Sequence, residues 1–295
     1  MRLSEQSRLT AHQRYLSTIQ EGMAQIQEQL ATGRKIQRAS DDPAGASLAL
    51  QHRKNLAFET QMRRNLENGM SFMNVSEAAL SGVTESLQRV RELTVQGSSD
   101  SLGADERYAI ALEIDELIGH MVQAANTRFG DAFVFSGHQT QTAAYTLTGN
   151  PPTTVTYAGD GGQRIRRISF QEQSAVNLTG QNVFGTMFDD LLALRDDLKT
   201  GADGAVITTH LSAVDGALDS VMAGRAELGA RINRFEAALN QSEQANITLS
   251  EMKRDVEEVD LADAITKLTG QQTALEAAIG AIGATSRMSL VNFLQ

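Results

Sequence analysis

Residues 207–249 read ITTHLSAVDGALDSVMAGRAELGARINRFEAALNQSEQANITL. Apolar side chains stand at Ile207, Leu211, Val214, Leu218, Val221, Leu228, Ile232, Phe235, Leu239 and Leu249, in alternating steps of four and three. That spacing keeps one stripe of an α-helix continuously apolar and lies close to a heptad repeat. Arg225, Ser242 and Asn246 interrupt the stripe. No proline breaks it, so the stretch predicts one long helix with a buried seam that needs a helical partner.

The same signal appears on either side. Toward the C-terminus, Leu261, Ile265, Leu268, Leu275, Ile279 and Ile282 form a seam with Gln272 inside it, and Leu290, Phe293 and Leu294 end the chain. At the other end, Leu9, Leu16, Ile19, Met23, Ile26 and Leu30 form a first helix, which Gly33 stops in the usual glycine position after a helix. The segment Ala39-Ser40-Asp41-Asp42-Pro43-Ala44-Gly45 follows. Asp41 and Asp42 ahead of Pro43 form a helix-start turn: an acidic side chain caps free N–H groups, and proline suits the first helical position. The helix beginning there carries Met62, Leu66, Met73, Leu80, Val83, Leu87 and Val90 and runs to about Gln96. About 50 residues at 1.5 Å each give a length of ~80 Å. After Gly97-Ser98-Ser99-Asp100, a third helix carries Ile110, Ile114, Leu117, Met121 and Ala124.

The middle of the chain has a different period. Phe133-Val134-Phe135, Tyr145-Thr146-Leu147, Thr154-Val155-Thr156-Tyr157 and Arg164-Ile165-Arg166-Arg167-Ile168 read as short strands. Gly149-Asn150-Pro151-Pro152 reads as a turn and Gly159-Asp160-Gly161-Gly162 as a hairpin turn. Helix returns near Phe184. The expected fold is mainly α, with long antiparallel helices forming a coiled-coil rod from both termini and a small β-rich insert. Its parts are a terminal N helix (1–40), the N-terminal half of the helical rod (41–131), a β-rich domain (132–182), the C-terminal half of the rod (183–255) and a terminal C helix (256–295).

Composition narrows the function. The 295 residues hold no Cys and no Trp, and aromatics make up 5%. Disulfides, thiolate metal sites and cysteine nucleophiles are excluded, and aromatic pocket lining is scarce. A formal charge of −10 argues against nucleic acid as the partner. No apolar run reaches the ~18 residues of a membrane span, so no membrane insertion is expected. The first ten residues are polar and lack a signal-peptide core. The five His are scattered with no zinc spacing. Adjacent acids such as Asp189-Asp190 point about 100° apart on a helix and do not face each other. Arg164, Arg166 and Arg167 make a local basic patch suited to a weak anion or to a solvated strand face. No cofactor, metal or catalytic constellation is expected.

Several blocks resemble the flagellin superfamily. They are Gln29-Leu30-Ala31-Thr32-Gly33-Arg34-Lys35-Ile36, then Ser40-Asp41-Asp42-Pro43-Ala44-Gly45, Leu87 to Gln96, Gln271 to Ala277, and Met288-Ser289-Leu290, all in the family order. Asn126-Thr127-Arg128-Phe129-Gly130-Asp131-Ala132-Phe133-Val134-Phe135-Ser136-Gly137 is similar to a segment of that superfamily's hook–filament junction branch, and Ala132 departs from it where that branch carries an aromatic. Arg225 to Ala230 fits the same branch and is shared with flagellins.

The resemblance implies a structural subunit of the bacterial flagellum, exported by the flagellar type III apparatus without a cleaved signal peptide and located outside the cell. It implies three assembly partners: further copies of itself in a ring, the first hook-associated protein on the hook side and flagellin on the filament side. It also implies an export chaperone, and terminal segments that are disordered in the monomer and ordered on assembly. Filament flagellin and a flagellin-like surface binding protein are the alternatives. The seams themselves bear on the same question, because a lone terminal helix cannot bury such a stripe. The two terminal stripes either pack only on each other or also pack across subunits.

Overall fold

The computed structural model describes residues 2–149 and 152–293, with side chains at Ser7 and from Thr10 to Ala284. Elements in chain order are α1 (Arg2–Thr32), α2 (Pro43–Gly97), α3 (Ala104–Ala125), β1 (Arg128–Phe129), β2 (Ala132–Phe133), β3 (Tyr145–Thr148), β4 (Thr154–Tyr157), β5 (Ile165–Arg167), β6 (Gln173–Ala175), α4 (Gly180–Phe184), α5 (Met187–Lys199), α6 (Gly204–Glu257) and α7 (Leu261–Phe293). The fold is mainly α, with long helices toward both ends and a small strand-containing middle. It divides into two compact units: residues 1–58 with 245–295, and residues 59–244.

The second unit is built on the paired seams of α2 and α6. On α2, Met62, Leu66, Met73, Leu80, Val83, Leu87 and Val90 are all buried. On α6, Ile207, Val214, Val221, Leu228 and Phe235 are buried at strict seven-residue intervals, and Leu211, Leu218, Ile232 and Leu239 are half-buried between them. This is the two-position seam of a heptad. Gly69 lets the helices approach, since a Cβ there would sit 2.7 Å from Phe235 Cε1.

Two of the polar interruptions, Arg225 and Ser242, are matched across the seam. Arg225 reaches α2, with Nη2 2.7 Å from Glu77 Oε1. Ser242 Oγ donates to Glu59 Oε2 at 2.7 Å. Such pairs contribute little net stability, but they penalise a shifted register, because a slip by one heptad would leave the half-buried Arg225 and the buried Ser242 unmatched.

The insert differs from the expected one in three places. Of the Phe133–Phe135 run only Phe133 is strand; with Ala132 before it, it pairs with Arg128 and Phe129 around Gly130, whose φ of +61° makes the tight turn. Val134 and Phe135 leave the ladder and are buried at 1% and 0%. Three consecutive apolar residues have no period-2 signal, and core burial rather than pairing takes two of them. Second, Gly159–Gly162 is not a hairpin turn. β3 pairs antiparallel with β4, and β5 with β6, so this segment links two hairpins. Third, β6 has no counterpart in the expected pattern, because Gln173-Ser174-Ala175 lacks branched or aromatic residues. The Gly149–Pro152 turn includes positions outside the described residues.

The insert is tied to the helices by specific contacts. Asn126, at the end of α3, donates from Nδ2 to Tyr145 O (2.8 Å) and accepts from Tyr145 N–H (2.9 Å). Phe135, Tyr145, Phe184 and Phe188 form a ring cluster with centroids 4.9–5.8 Å apart. Arg195 on α5 is buried at 2% and bonds Asp115 on α3 (2.7 Å) and Pro152 O (2.5 Å).

Candidate assembly interface

The first unit contains both terminal helices. α1 ends at Thr32, and Gly33 takes φ +68°, with its N–H on Gln29 O at 2.8 Å. The chain next runs antiparallel to the segment after α6. Lys35 N–H donates to Glu257 O (2.7 Å) and Val259 N–H to Gly33 O (3.1 Å), making a bridge between Arg34 and Glu258. This bridge sets α1 and α7 side by side in opposite directions, so Gly22 lies beside Gln271.

Two acidic caps fix the helix starts here. Asp42 Oδ1 accepts the Gly45 N–H at 2.9 Å, a side-chain cap on the third residue of α2. Asp41 acts on the preceding loop: its Oδ2 accepts from Arg38 N–H (2.9 Å) and Gln37 N–H (3.2 Å). The bond from Arg38 N–H lowers the Asp41 carboxyl below its ordinary value against a smaller opposing effect of burial. Pro43 opens α2. At α7 the same service comes from Asp260, which accepts from Ala262 N–H (2.9 Å) and Asp263 N–H (3.2 Å). Sequence reading passed over Asp260, although an acid immediately before a periodic apolar run is the signal for it.

An ion pair with one buried member braces the bridge. Glu257 is only 4% exposed, and its Oε1 accepts from Arg53 Nε at 2.7 Å. Burial pushes its carboxyl up, yet Arg53, Lys253 and Arg34 together hold it below its ordinary value. Sequence reading also missed this pair, since nothing local links positions 204 apart.

The terminal seams divide into two sets. Ile19 is buried at 5%, and Leu16, Met23, Ile26 and Leu30 are half-buried. On α7, Leu268, Leu275 and Ile282 are half-buried, and Ala264, absent from the sequence reading, is buried at 3%. Leu261, Ile265 and Ile279 remain exposed at 55%, 55% and 56%. The helix-on-helix face therefore uses Ala264, Leu268, Leu275 and Ile282, one step round from the exposed set. Leu261, Ile265 and Ile279 make a second stripe on α7, and Tyr15 on α1 is likewise exposed, at 57%. The side chains at Leu9, Leu290 and Phe293, and Leu294 altogether, lie outside the described residues.

Among the described residues no group of three or more His, Asp or Glu could hold a metal ion. None of the described helices is long and apolar enough to cross a membrane.

Comparison with known proteins agrees with this architecture. The chain is 25% identical over 317 aligned positions to flagellar hook-associated protein 3 of Escherichia coli (strain K12), covering 98% of each chain. It is 27% identical over 253 positions to the flagellar filament 30.7 kDa core protein of Treponema maltophilum, covering 85% of this chain and 84% of that one. A putative flagellar hook-associated protein from Vibrio parahaemolyticus superposes with a TM-score of 0.68 at 20% identity, over 74% of this chain and all of that one. Residues 4–140 match the bacterial flagellin N-terminal helical region, and residues 211–294 match the bacterial flagellin C-terminal helical region. Both family regions thus occur in their proper order over most of the sequence, and the chain belongs to the bacterial flagellin family.

Proposed function

We propose that this chain is a structural, non-catalytic subunit at the junction between flagellar hook and filament. It adds as a ring of copies to the first hook-associated protein and then receives flagellin. The observation that carries the reading is its end-to-end alignment with a hook-associated protein, 98% of each chain. The Asn126–Gly137 segment supports it: it closes α3, supplies β1 and β2, and places Asn126 and Phe135 in the contacts that hold the insert. Export would follow the flagellar route with a dedicated chaperone and no cleaved signal, leaving the protein outside the cell.

On this reading the exposed stripe of Leu261, Ile265 and Ile279 is covered by neighbouring subunits. Three large aliphatic side chains at the spacing of one helix face are poor surface residues, and burial at about 25 cal/mol per Å² supplies the driving force for packing between copies. Filament flagellin is the second reading, favoured by the likeness to a Treponema filament core protein.

Growth behaviour separates them. A filament subunit presents complementary top and bottom surfaces, so its head-to-tail contact propagates without limit. A junction subunit meets different neighbours above and below. Purified chain incubated with filament seeds and viewed by electron microscopy should stop at a short layer. Micrometre-long filaments of this chain alone would reject the junction assignment and promote flagellin.

A further inference from the structure

Strand β5 and the residue before it, Arg164, carry an uncompensated positive charge. Alternation along the strand puts Arg164, Arg166 and Ile168 on one side, with Ile165 and Arg167 on the other. Ile168 is buried at 3%, so the first set faces into the unit, while Ile165 is 55% exposed. The Arg164 guanidinium lies over the Phe72 ring of α2, 4.8 Å from its centroid. Its backbone is satisfied: the N–H donates to Asn177 Oδ1 (2.7 Å) and the carbonyl accepts from Val176 N–H (2.9 Å). Its side chain is not, because Nη1 is buried without a hydrogen-bond partner.

The nearby acids are already engaged. Glu172 pairs with Arg234, and Glu227 with Arg231, which also donates to the carbonyls of Asn177 (2.9 Å) and Ala175 (3.3 Å). Burial lowers the Arg164 guanidinium from its ordinary value, and Arg166 lowers it further. Among the described residues no ion pair includes Arg164, Arg166 or Arg167. A half-buried charge without a counter-charge is costly, and the usual remedy is a partner of opposite sign. The chain as a whole carries −10, so this strand runs against the protein's own balance.

We propose that this half-buried face of β5 is an oxyanion site, in which Arg164 and Arg166, both still partly exposed, receive a carboxylate or phosphate-class group. The two arginines stand about 6.6 Å apart along the strand, close enough for both to reach one anion. Guanidinium groups match such oxygens in paired geometry, and stacking on Phe72 fixes the plane of one of them. The oxyanion comes either from solution or from an acidic side chain of a neighbouring subunit. The site lies wholly in the unit of residues 59–244 and does not depend on the junction assignment.

The test uses the full chain, Arg164→Met and Arg166→Gln, unfolded thermally in millimolar sodium phosphate and in sodium chloride of equal ionic strength. Methionine keeps an apolar stem over Phe72 and removes the charge. A solution anion raises the apparent folding constant of the unaltered chain by a factor of 1 + [phosphate]/Kd, and this rise disappears in both variants. If the anion belongs to a neighbouring copy, sedimentation shows self-association that phosphate competes away and that Arg166→Gln weakens. An equal phosphate response in all three proteins marks a bulk salt effect and overturns the site. So does the absence of a phosphate response together with unchanged association. Should Arg164→Met fail to fold, Arg166→Gln decides alone.

Discussion

Two isoleucines on the paired terminal helices should respond in opposite ways to the same change. Ile19 is 5% exposed, and Ile279 is 56% exposed. Replacing Ile19 with Asp in the free chain forfeits nearly the whole burial of the side chain, about 1.5–3 kcal/mol. It also forces a carboxylate into an apolar contact, so the total reaches roughly 3–5 kcal/mol. Ile279→Asp gives up less than half of that burial and leaves the carboxylate in water, so the free chain loses about 1 kcal/mol or less. In an assembly that covers the stripe the order changes. Ile279→Asp then loses the remaining burial and strands a charge at the interface, a cost of several kcal/mol and a fall of over a hundredfold in affinity. Amide hydrogen exchange in α1 reads the stability of the terminal unit, and electron microscopy or fractionation of flagella reads incorporation. Ile19→Asp should accelerate α1 exchange. Ile279→Asp should leave it nearly unchanged yet be missing from flagella. Normal incorporation of Ile279→Asp refutes a subunit interface on this stripe. Equal loss of α1 protection in both variants refutes the division of the seam into two faces.

Three further outcomes follow from particular contacts. Asp42→Ala removes the cap on α2 and should cost about 1 kcal/mol in chemical denaturation, whereas Asp42→Asn, which keeps an acceptor, should cost far less. The Glu257 carboxyl titrates below its ordinary value of 4.5 in the folded protein, so its contribution is complete above that value and drains away as pH falls through the folded pKa. Glu257→Gln should therefore flatten the pH dependence of stability below about pH 5; an unchanged acid limb in the variant would show that other carboxylates dominate. Gly137 holds φ +68°, and a Cβ there would overlap the Asp160 side chain and backbone. Gly137→Ala should destabilise the second unit by more than about 2 kcal/mol, and a loss under half that would mean the segment relaxes freely.

Much of this protein is legible in its sequence. The heptad from Ile207 to Phe235, the α2 seam and the Asp-Pro start at residue 43 specify helices locally, because a 3.6-residue period and a capping acid act within one or two turns of backbone. The family blocks are legible for the same reason, being short and contiguous.

What required the tertiary structure depends on distant partners. Arg225 and Ser242 read as flaws in a seam until Glu77 and Glu59 are seen across it. Glu257 has no local feature to mark it as a buried anion, since Arg53 lies on another helix. The insert's strands pair as two separate hairpins, and in the run from Phe133 to Phe135 burial competes with pairing, a contest that period-2 alternation cannot register. Which side of α7 packs against α1 was also beyond the sequence. Leu261, Ile265, Leu268, Leu275, Ile279 and Ile282 read as one apolar stripe. Only the antiparallel packing of α7 along α1, next to the bridge at Arg34 and Glu258, decides that Leu268, Leu275 and Ile282 are half-buried while Leu261, Ile265 and Ile279 stay in water.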